Sequence, residues 1–508
     1  MIVRLHAILV LALGVGLSLA PLGAQETSTA SGDDVFGKDE QVTTTTEQTQ
    51  NAAPRKELLK EAVPLLTGSF TGKVGFSWNW SDIYGAPFNL LSSTSRSLDQ
   101  QGTELDLGFV ARPDTDISIT GEVRTNYPFV QQVTTGTAPT TSTITVPSFT
   151  VWSLYSKFTW NDALFLSFGK QSLKWGTGYF FSPADDVFAQ SAVDLSNPTA
   201  EREGPLALKV QYPIPRTMDN LYFYAAFPVS SDPAALAALQ PEDIAVAAKA
   251  EFLFGNTELA AAGFYQRSQR PQVILMGTTG TGSFDFFAEG LAAFPSGQSD
   301  AYVEKASSTV TWATGSSAYR VVDRSGSTFF KATGGLMYKN PDTNFTFVCQ
   351  YLYNGQGYGS LSIQDILQAM MDRALGRPAG EPSFTTASVA NTLTGLGQIG
   401  EHYGAISFSW TSIANTKTDF SVLVLSNLSD GSGYVNPTIS YMMLTYVRLS
   451  LGASLSWGGT GTEYADPTGF ASTFPTINGQ PNPSYNPNYV ARPTLAIMLG
   501  ASIGTGSF

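Results

Sequence analysis

The fold of the chain is decided by residues 164–211, LFLSFGKQSLKWGTGYFFSPADDVFAQSAVDLSNPTAEREGPLALKVQ. The stretch begins as a strand, because Leu164, Leu166 and Phe168 fall on one side when successive side chains point to opposite faces. The alternation then stops, and a long irregular loop rich in charges follows before the chain resumes as a strand at Gly204. A strand, a long loop and a returning strand form the unit that we predict for the rest of the chain.

The same alternation recurs in other parts of the sequence. Its clearest example is the stretch 447–457, where Leu449, Leu451 and Leu455 alternate with arginine, serine and glycine. One apolar face and one small polar face over about ten residues are typical of a strand that lies between lipid and water. The composition agrees, because 48 Gly, 32 Phe and 21 Tyr with only 14% charged residues describe β-sheet with many turns.

The connections between the candidate strands alternate between long and short. Up-and-down barrels of bacterial outer membranes have tight turns at one end and long external loops at the other. We therefore predict an all-β fold, a transmembrane up-and-down antiparallel β-barrel of about 14–18 strands with 18 as the best count. The candidate strands are 68–80, 102–111, 115–127, 148–160, 163–172, 204–212, 220–228, 244–254, 257–267, 283–291, 300–311, 329–339, 344–354, 401–411, 417–427, 437–446, 447–457 and 493–505.

Part of the central stretch resembles a known family. Gly169-Lys-Gln-Ser-Leu-Lys-Trp-Gly-Thr-Gly is followed by Pro183-Ala-Asp-Asp and then by Arg202-Glu-Gly. This order resembles a pattern of porin-like β-barrels in the outer membranes of diderm bacteria, where Gly-x-Gln and Trp-Gly close a strand and Pro-x-Asp follows in the loop. The resemblance implies an outer-membrane barrel that acts as a passive pore.

The chain divides into three parts. Residues 1–24 are predicted to be a signal peptide, since Arg4 precedes an apolar run and small residues follow it. A membrane anchor is the alternative, although the run is shorter than the roughly 20 residues that a spanning helix needs. Residues 25–67 are predicted to be a disordered polar linker, because they carry too little apolar surface to fold. Residues 68–508 are predicted to form the barrel.

A helical period interrupts the strand pattern in one loop. Apolar residues recur at helical spacing over 361–376, Ser362 is suited to cap the start, and Pro378 follows the end. We predict a short helix in the longest external loop. The helix would fold over the mouth as a lid or rest on neighbouring loops, and the sequence leaves both arrangements open.

The residues needed for enzyme chemistry are scarce. After the predicted signal peptide, His402 is the only histidine and Cys349 the only cysteine, so a Ser-His triad and a soft metal site have few candidate residues. We predict no enzyme activity, no catalytic residue, no metal and no cofactor, and a barrel hydrolase is the third and weakest hypothesis. A net charge of −13 disfavours nucleic acid as a partner.

The charges of the central loop and of neighbouring strands are the predicted pore-lining residues. The loop 173–203 is expected to fold inward, because its rings cost free energy in water and the inner wall is the nearest surface for packing. The charges would then select solutes or form salt bridges that hold the wall, and both roles stay open. The candidates are Lys170, Lys174, Trp175, Asp185, Asp186, Glu201, Arg202, Glu203, Arg124 and Lys157.

The predicted function is a porin-like channel in the cell outer membrane for passive diffusion of small hydrophilic solutes, with a weak preference for cations. An adhesin or surface-antigen barrel with a filled lumen is the alternative. The expected partners are outer-membrane lipid and small solutes, and the sequence leaves homo-oligomerisation open. It also leaves open whether the 173–203 loop or the 361–376 helix gates the lumen.

Overall fold

The computed structural model describes most of the chain from residue 66 onward. The described residues are 66–83, 95–99, 103–114, 116–126, 130–135, 142–161, 163–188, 202–228, 240–297, 300–312, 315–359, 399–444, 447–459, 462–464, 476–477, 480–481, 494–503 and 506–507. The predicted signal peptide, residues 25–65 of the predicted linker and the predicted 361–376 helix lie outside them. Leu66 and Thr67, the last two residues of the predicted linker, belong to the first strand. Among the described residues, no helix has the length and apolar composition needed to cross a bilayer.

Strands make up nearly all the regular structure. They are β1 (Leu66–Ile83), β2 (Ser95–Asp99), β3 (Thr103–Asp114), β4 (Ile117–Asn126), β5 (Val130–Thr135), β6 (Ser142–Pro147), β7 (Thr150–Trp160), β8 (Leu164–Lys170), β9 (Leu206–Pro213), β10 (Asn220–Phe227), β11 (Ala245–Phe254), β12 (Thr257–Tyr265), β13 (Gln272–Thr281), β14 (Phe284–Ala293), β15 (Ala301–Trp312), β16 (Gly315–Asp323), β17 (Phe329–Asn340), β18 (Phe345–Asn354), β19 (His402–Trp410), β20 (Thr418–Asn427), β21 (Ser432–Leu444), β22 (Val447–Trp457), β23 (Thr476–Ile477), β24 (Gln480–Pro481), β25 (Thr494–Ile503) and β26 (Gly506–Ser507). Within the described residues, three short 3-10 helices span Asp185–Val187, Pro241–Asp243 and Ile413–Asn415.

The strands close into a barrel. Each wall strand pairs antiparallel with the wall strand before and after it, and β25 pairs with β1. Three hairpins, β5–β6, β15–β16 and β23–β24, lie outside this circuit. Within the described residues the circuit runs β1, β3, β4, β7–β14, β17–β22 and β25, which makes 18 wall strands. The predicted all-β, up-and-down antiparallel barrel is confirmed.

Two of the predicted strands differ from the structure, and the differences offset each other in the total. The stretch 272–281 was not predicted, yet it forms β13 and pairs with both β12 and β14. The prediction of a wall strand at 300–311 is wrong, because β15 pairs only with β16 in a hairpin beside the wall. The apolar residues of β13 lie on both of its faces, so the alternation that marks other strands is missing there.

The connections sort by length onto the two ends of the barrel. The turns at Asn161, Gly255 and Asp342 are tight, and they all lie at one end. Every long connection lies at the other end, which we call the mouth. Two mouth connections, 266–271 and 428–431, are short.

Alternation along the strands separates an inner from an outer face. On β10, Tyr222 and Tyr224 are buried, whereas Leu221 and Phe223 are 41% and 45% exposed. The segment that follows β8 contacts strands from β10 to β19 through the buried set. A short segment can reach so many strands only from the concave side of a closed wall. The buried set therefore faces the lumen, and the exposed apolar set faces outward.

Candidate functional site

The candidate site is built by the segment that leaves β8 at its mouth end. We call residues 171–188 the inserted segment. The inward fold expected for the 173–203 loop is found in this part, whereas 189–201 lie outside the described residues. Gln171 starts the turn into the lumen, because its Nε2 donates to Ala207 O at 2.9 Å and its Oε1 accepts from Ser167 Oγ at 2.6 Å.

One end of the inserted segment packs on strands β10 to β13. Trp175 is 3% exposed, and its ring lies 5.4 Å from that of Tyr224 and 5.5 Å from that of Phe188. The Phe188 ring in turn meets Phe264 of β12 edge-on at 5.4 Å. Alanines of the wall strands make up much of the rest of this cluster, so the rings fill space that small residues leave. Its larger members are Leu173, Val187, Tyr222, Ile274, Met276, Leu291 and Phe329.

The other rings of the segment pack further round the wall. Phe180 and Phe181 are buried in a second cluster with Met337, Val348, Leu352 and Leu425. The Phe181 ring lies 6.0 Å from that of Tyr403 on β19. The segment thus covers the inner faces of β9–β14 and β17–β20, which we call the packed arc.

Asp185 holds the segment in a closed turn. Its Oδ1 accepts from the backbone N–H groups of Trp175 and Gly176 at 2.7 and 2.8 Å, and Trp175 Nε1 donates to Ala184 O at 2.6 Å. Asp185 is itself buried. The carboxylate was predicted to line the pore, and in the structure its hydrogen bonds are made to the segment's own backbone.

Glu289 of β14 binds the segment to the wall. Its carboxyl group accepts from the N–H groups of Thr177 and Gly178, each at 2.5 Å, and of Ala184 at 3.1 Å. The hydroxyl of Ser182 donates to the same carboxyl group at 3.1 Å. The backbone wraps closely around this carboxyl group, and a Cβ at Gly176 would collide with Ser182 and Glu289.

Gln350 of β18 binds the next part of the segment. Its Oε1 accepts from Phe180 N at 2.7 Å, and its Nε2 donates to Phe181 O at 2.6 Å. The same Nε2 donates to Thr333 Oγ1 on the neighbouring strand at 2.6 Å, which fixes the orientation of the amide. Glu289 and Gln350 thus satisfy backbone groups that would otherwise be buried without partners.

Neither Glu289 nor Gln350 was among the predicted site residues. Both lie in regular strands and read as ordinary inward-facing positions. Glu289 did carry a signal, because it is the only charged residue of the apolar run 286–295. A lone buried carboxyl group in such a run needs donors, and the Gly-Thr-Gly of the distant loop supplies them.

The remaining predicted loop charges are spread over different surroundings. Asp186 has 45% of its side chain exposed, and it pairs with Arg202 Nη1 at 2.9 Å. Lys174 is half-buried on the segment. Lys170 shares the outward phase of Phe168, and it pairs with Glu203 at 2.6 Å, so the structure does not bring these two charges to the inner face. Glu201 lies outside the described residues.

Arg124 and Lys157 lie on a different part of the inner wall. We call the inner faces of β3, β4, β7, β21 and β22 the open arc, which carries charged and hydroxyl side chains. Arg124 Nε donates to Glu122 Oε1 at 2.5 Å and lies 3.7 Å from Asp106 Oδ1. The guanidinium carbon of Arg124 stacks 3.8 Å from the centroid of the Trp152 ring. Lys157 lies 5.3 Å from the Tyr155 ring, in register with Ser167. Among the described residues, no three His, Cys, Asp or Glu side chains are grouped to hold a metal ion.

Comparisons with known proteins find similar structures and no similar sequences. No family model matches the chain, and no curated protein matches it. Solved structures that resemble it include Pseudomonas aeruginosa OpdL, with a TM-score of 0.43, 9% identity and coverage of 87% of this chain and 99% of that one. P. aeruginosa OpdK has a TM-score of 0.42 and 10% identity, and the match covers 87% of this chain and 99% of that one. The outer-membrane channel DcaP of Acinetobacter baumannii has a TM-score of 0.35 and 11% identity, and the match covers 86% of this chain and 97% of that one.

Proposed function

We propose that the chain is an outer-membrane channel through which small hydrophilic solutes diffuse passively. The observation that carries the proposal is a closed wall whose outer face is apolar and whose inner face bears an inserted segment beside a polar arc. A closed circuit of strands satisfies its own backbone hydrogen bonds, which a bilayer requires of any spanning structure.

The outer face supports a membrane location. Near the short turns, the rings of Phe284, Tyr338, Phe345, Phe408 and Phe420 form a continuous row across five strands, with centroids 4.9–6.4 Å apart. Near the mouth, Tyr351 stacks on His402 at 6.1 Å, also on the outward face. Aromatic belts at both interfaces with an apolar band between them are typical of transmembrane barrels.

The inner face supports a narrowed pore. The inserted segment covers the packed arc, so a solute would pass between the segment and the open arc. That arc presents the Arg124 cluster, Lys157 and the hydroxyls of Ser440 and Ser450. Hydroxyl and charged groups exchange hydrogen bonds with hydrated solutes, and this favours hydrophilic cargo.

The cation preference that we propose is weak. The chain has a net charge of −13, and Asp186 exposes part of its carboxylate beside the lumen. Arg202 offsets that charge, however, and Arg124 is offset by Glu122 and Asp106. The reversal potential in a salt gradient tests this point: an Asp186→Asn variant should lose the cation preference while its conductance persists, and Asp185 is left unchanged because its carboxylate holds the turn of the inserted segment.

Orientation in the membrane follows from the asymmetry of the connections. We place the mouth outside the cell and the tight turns in the periplasm. An epitope inserted at Gly459, where a side chain would meet open space, should bind antibody on intact cells. The same epitope at Asn256 should bind only after permeabilisation, and the reverse result would invert the orientation.

Planar-bilayer recording of purified protein tests the channel itself. Barrel protein that migrates in the folded form on an unboiled detergent gel should produce discrete conductance steps. Folded protein that produces no steps would favour the adhesin or surface-antigen barrel with a filled lumen.

A further inference from the structure

A second described segment enters the lumen at the mouth. We call residues 462–464, in the connection between β22 and β25, the mouth arm. Glu463 N donates to Asp430 Oδ2 at 2.8 Å, and Tyr464 N donates to Ser432 Oγ at 3.2 Å. Ser432 begins β21, and its side chain is fully buried. The arm is thus fastened to the inner side of the wall.

The side chain of Glu463 makes the deepest contacts of the arm. Its Oε2 accepts from the Tyr403 hydroxyl at 2.5 Å and from Asn427 Nδ2 at 2.8 Å. Tyr403 is 0% exposed and Asn427 is 2% exposed. Both donors lie on the inward phase of their strands, so the carboxyl group is bound inside the barrel and not at its outer rim.

The mouth arm and the inserted segment share one hydrophobic cluster. The Tyr464 ring packs edge-on against Tyr434 at 5.4 Å, and both rings lie on the cluster that contains Phe180 and Phe181. Tyr403 touches both segments, since its ring faces Phe181 at 6.0 Å and its hydroxyl binds Glu463. The arm therefore lies inside the barrel directly beside the inserted segment.

We propose that the mouth arm is a pH-sensitive gate, which is docked in the lumen when Glu463 is protonated and is released when Glu463 ionises. The proposal rests on the channel function proposed above, because release of the arm matters only if solutes pass the mouth.

The surroundings of Glu463 favour its neutral form. The titratable groups that face it are Tyr403 from β19, Asp430 from the β20–β21 turn, Tyr434 from β21 and Tyr464 from the arm itself. None of these groups carries a positive charge. Burial and, to a smaller extent, the Asp430 carboxylate together raise the pKa of Glu463 to about 7, against the hydrogen bonds from Tyr403 and Asn427 that lower it.

The sign of the pH response follows from this shift. The pKa of Glu463 is about 7 when the arm is docked and returns to the ordinary value of about 4.3 when the side chain is in water. Docking is then fully favoured below the lower value and weakens as the pH rises to the upper one. The docking equilibrium falls by a factor on the order of 500 across this window. The arm is docked in acid and released above neutral pH.

Single-channel conductance at about pH 5.5 and about pH 8.5 tests the gate. Wild-type conductance should rise with pH inside the window between the ordinary value of about 4.3 and the docked value of about 7. Glu463→Gln should keep the low conductance at both values, because an amide stays neutral and still accepts from Tyr403 and Asn427. His402→Gln is the matched control, since His402 is an ionisable side chain near the mouth that lies on the outward face, and it should respond as the wild type does. An equal pH response in wild type and Glu463→Gln would overturn the proposal.

Chemical labelling measures release of the arm independently of conductance. Thr462 is 6% exposed, so a Thr462→Cys variant in a Cys349→Ser background should react slowly with a charged maleimide while the arm is docked. Raising the pH should accelerate labelling more in this variant than in the same variant with Glu463→Gln. Both variants carry the same thiol, so the comparison removes the direct effect of pH on its ionisation. Equal acceleration would overturn the gate. A difference in labelling in a protein without conductance would overturn the channel and leave the moving arm intact.

Discussion

The packed arc and the open arc belong to one wall and carry different residues. On the packed arc, most inward positions of β10–β14 are alanine, tyrosine, phenylalanine, isoleucine, methionine and leucine. The exceptions include Glu289 and the pair of Lys249 and Glu251, whose charged groups are buried. On the open arc, the inward positions are charged or hydroxyl-bearing, as at Glu122, Arg124 and Ser450. The same strand geometry thus carries two different inner surfaces.

The difference indicates which inner surface is covered by the inserted segment and which one faces the lumen. An apolar inner face would be costly in a water-filled lumen, and burying one large apolar side chain contributes about 1.5–3 kcal/mol. The packed arc avoids this cost because the inserted segment covers it. The segment is therefore a structural layer of the wall, and substitutions within it should affect stability far more than equivalent substitutions on the open arc.

Removal of the Trp175 ring should show the largest contrast. Trp175→Ala deletes a buried ring that contacts Tyr224 and Phe188, and a loss of about 3–5 kcal/mol is expected. Trp152→Ala is the matched control on the open arc, where stacking of Arg124 on the ring contributes about 1 kcal/mol. The midpoint of denaturant unfolding, read from the gel shift of the folded barrel, measures both. Equal losses would contradict the distinction between the arcs.

Removal of the Glu289 carboxyl group should come next. Glu289→Ala leaves the N–H groups of Thr177, Gly178 and Ala184 without an acceptor, and we expect a loss of about 3 kcal/mol. Conductance should also rise, because the segment loses its attachment to β14. Glu122→Ala on the open arc removes an equivalent carboxyl group, and it should change the folded barrel's stability much less. A stable Glu289→Ala barrel with wild-type conductance would show that the attachment is dispensable.

Gln350→Leu should give a smaller effect of the same kind. The substitution preserves most of the volume and removes the bonds to Phe180 N and Phe181 O, which predicts a loss of about 1–3 kcal/mol. Unlike Glu289→Ala, it leaves in place the hydrogen bonds that Glu289 accepts from Thr177 and Ala184. The segment should therefore loosen only near Phe180. Protease cleavage of the folded barrel near that residue would detect the loosening, and unchanged resistance would contradict it.

Asp186→Asn should have the smallest effect on stability. Asp186 is partly exposed and its pair with Arg202 is screened by water, so the contribution is under about 1 kcal/mol. The reversal potential should move toward anions, because Arg202 loses its nearby countercharge. A large loss of stability would mean that the pair holds the segment and does not merely tune the lumen.

Much of the barrel could be predicted from the sequence. The alternation of β7, β18 and β22 and the length of the connections were sufficient for the closed antiparallel wall. The prediction failed at β13 for a physical reason: Val273 and Leu275 face outward, whereas Ile274 and Met276 face the inserted segment. Alternation disappears wherever both faces of a strand are covered, because neither face then meets water.

The candidate site was less accessible to sequence reasoning. The rings of 175–188 predicted the inward fold, because their burial needs only a nearby wall. The partners Glu289 and Gln350 lie over 100 residues away in sequence from the backbone groups that they bind, and no local pattern connects them. The role of Asp185 was hidden for the opposite reason, since a carboxylate that closes its own turn reads like one that faces solvent.

The pairing of β25 with β1 also determines when the barrel can be completed. Val74 on β1 lies opposite Ile503 on β25, so this seam joins the first and the last wall strand of the circuit. Contacts between residues so far apart in sequence form slowly, because the chain must lose conformational entropy to bring them together before the contacts can stabilise it. Until that moment, the nascent sheet presents two long unpaired strand edges, which invite pairing with other chains. A newly synthesised copy therefore depends on being kept apart from its neighbours for as long as the seam stays open.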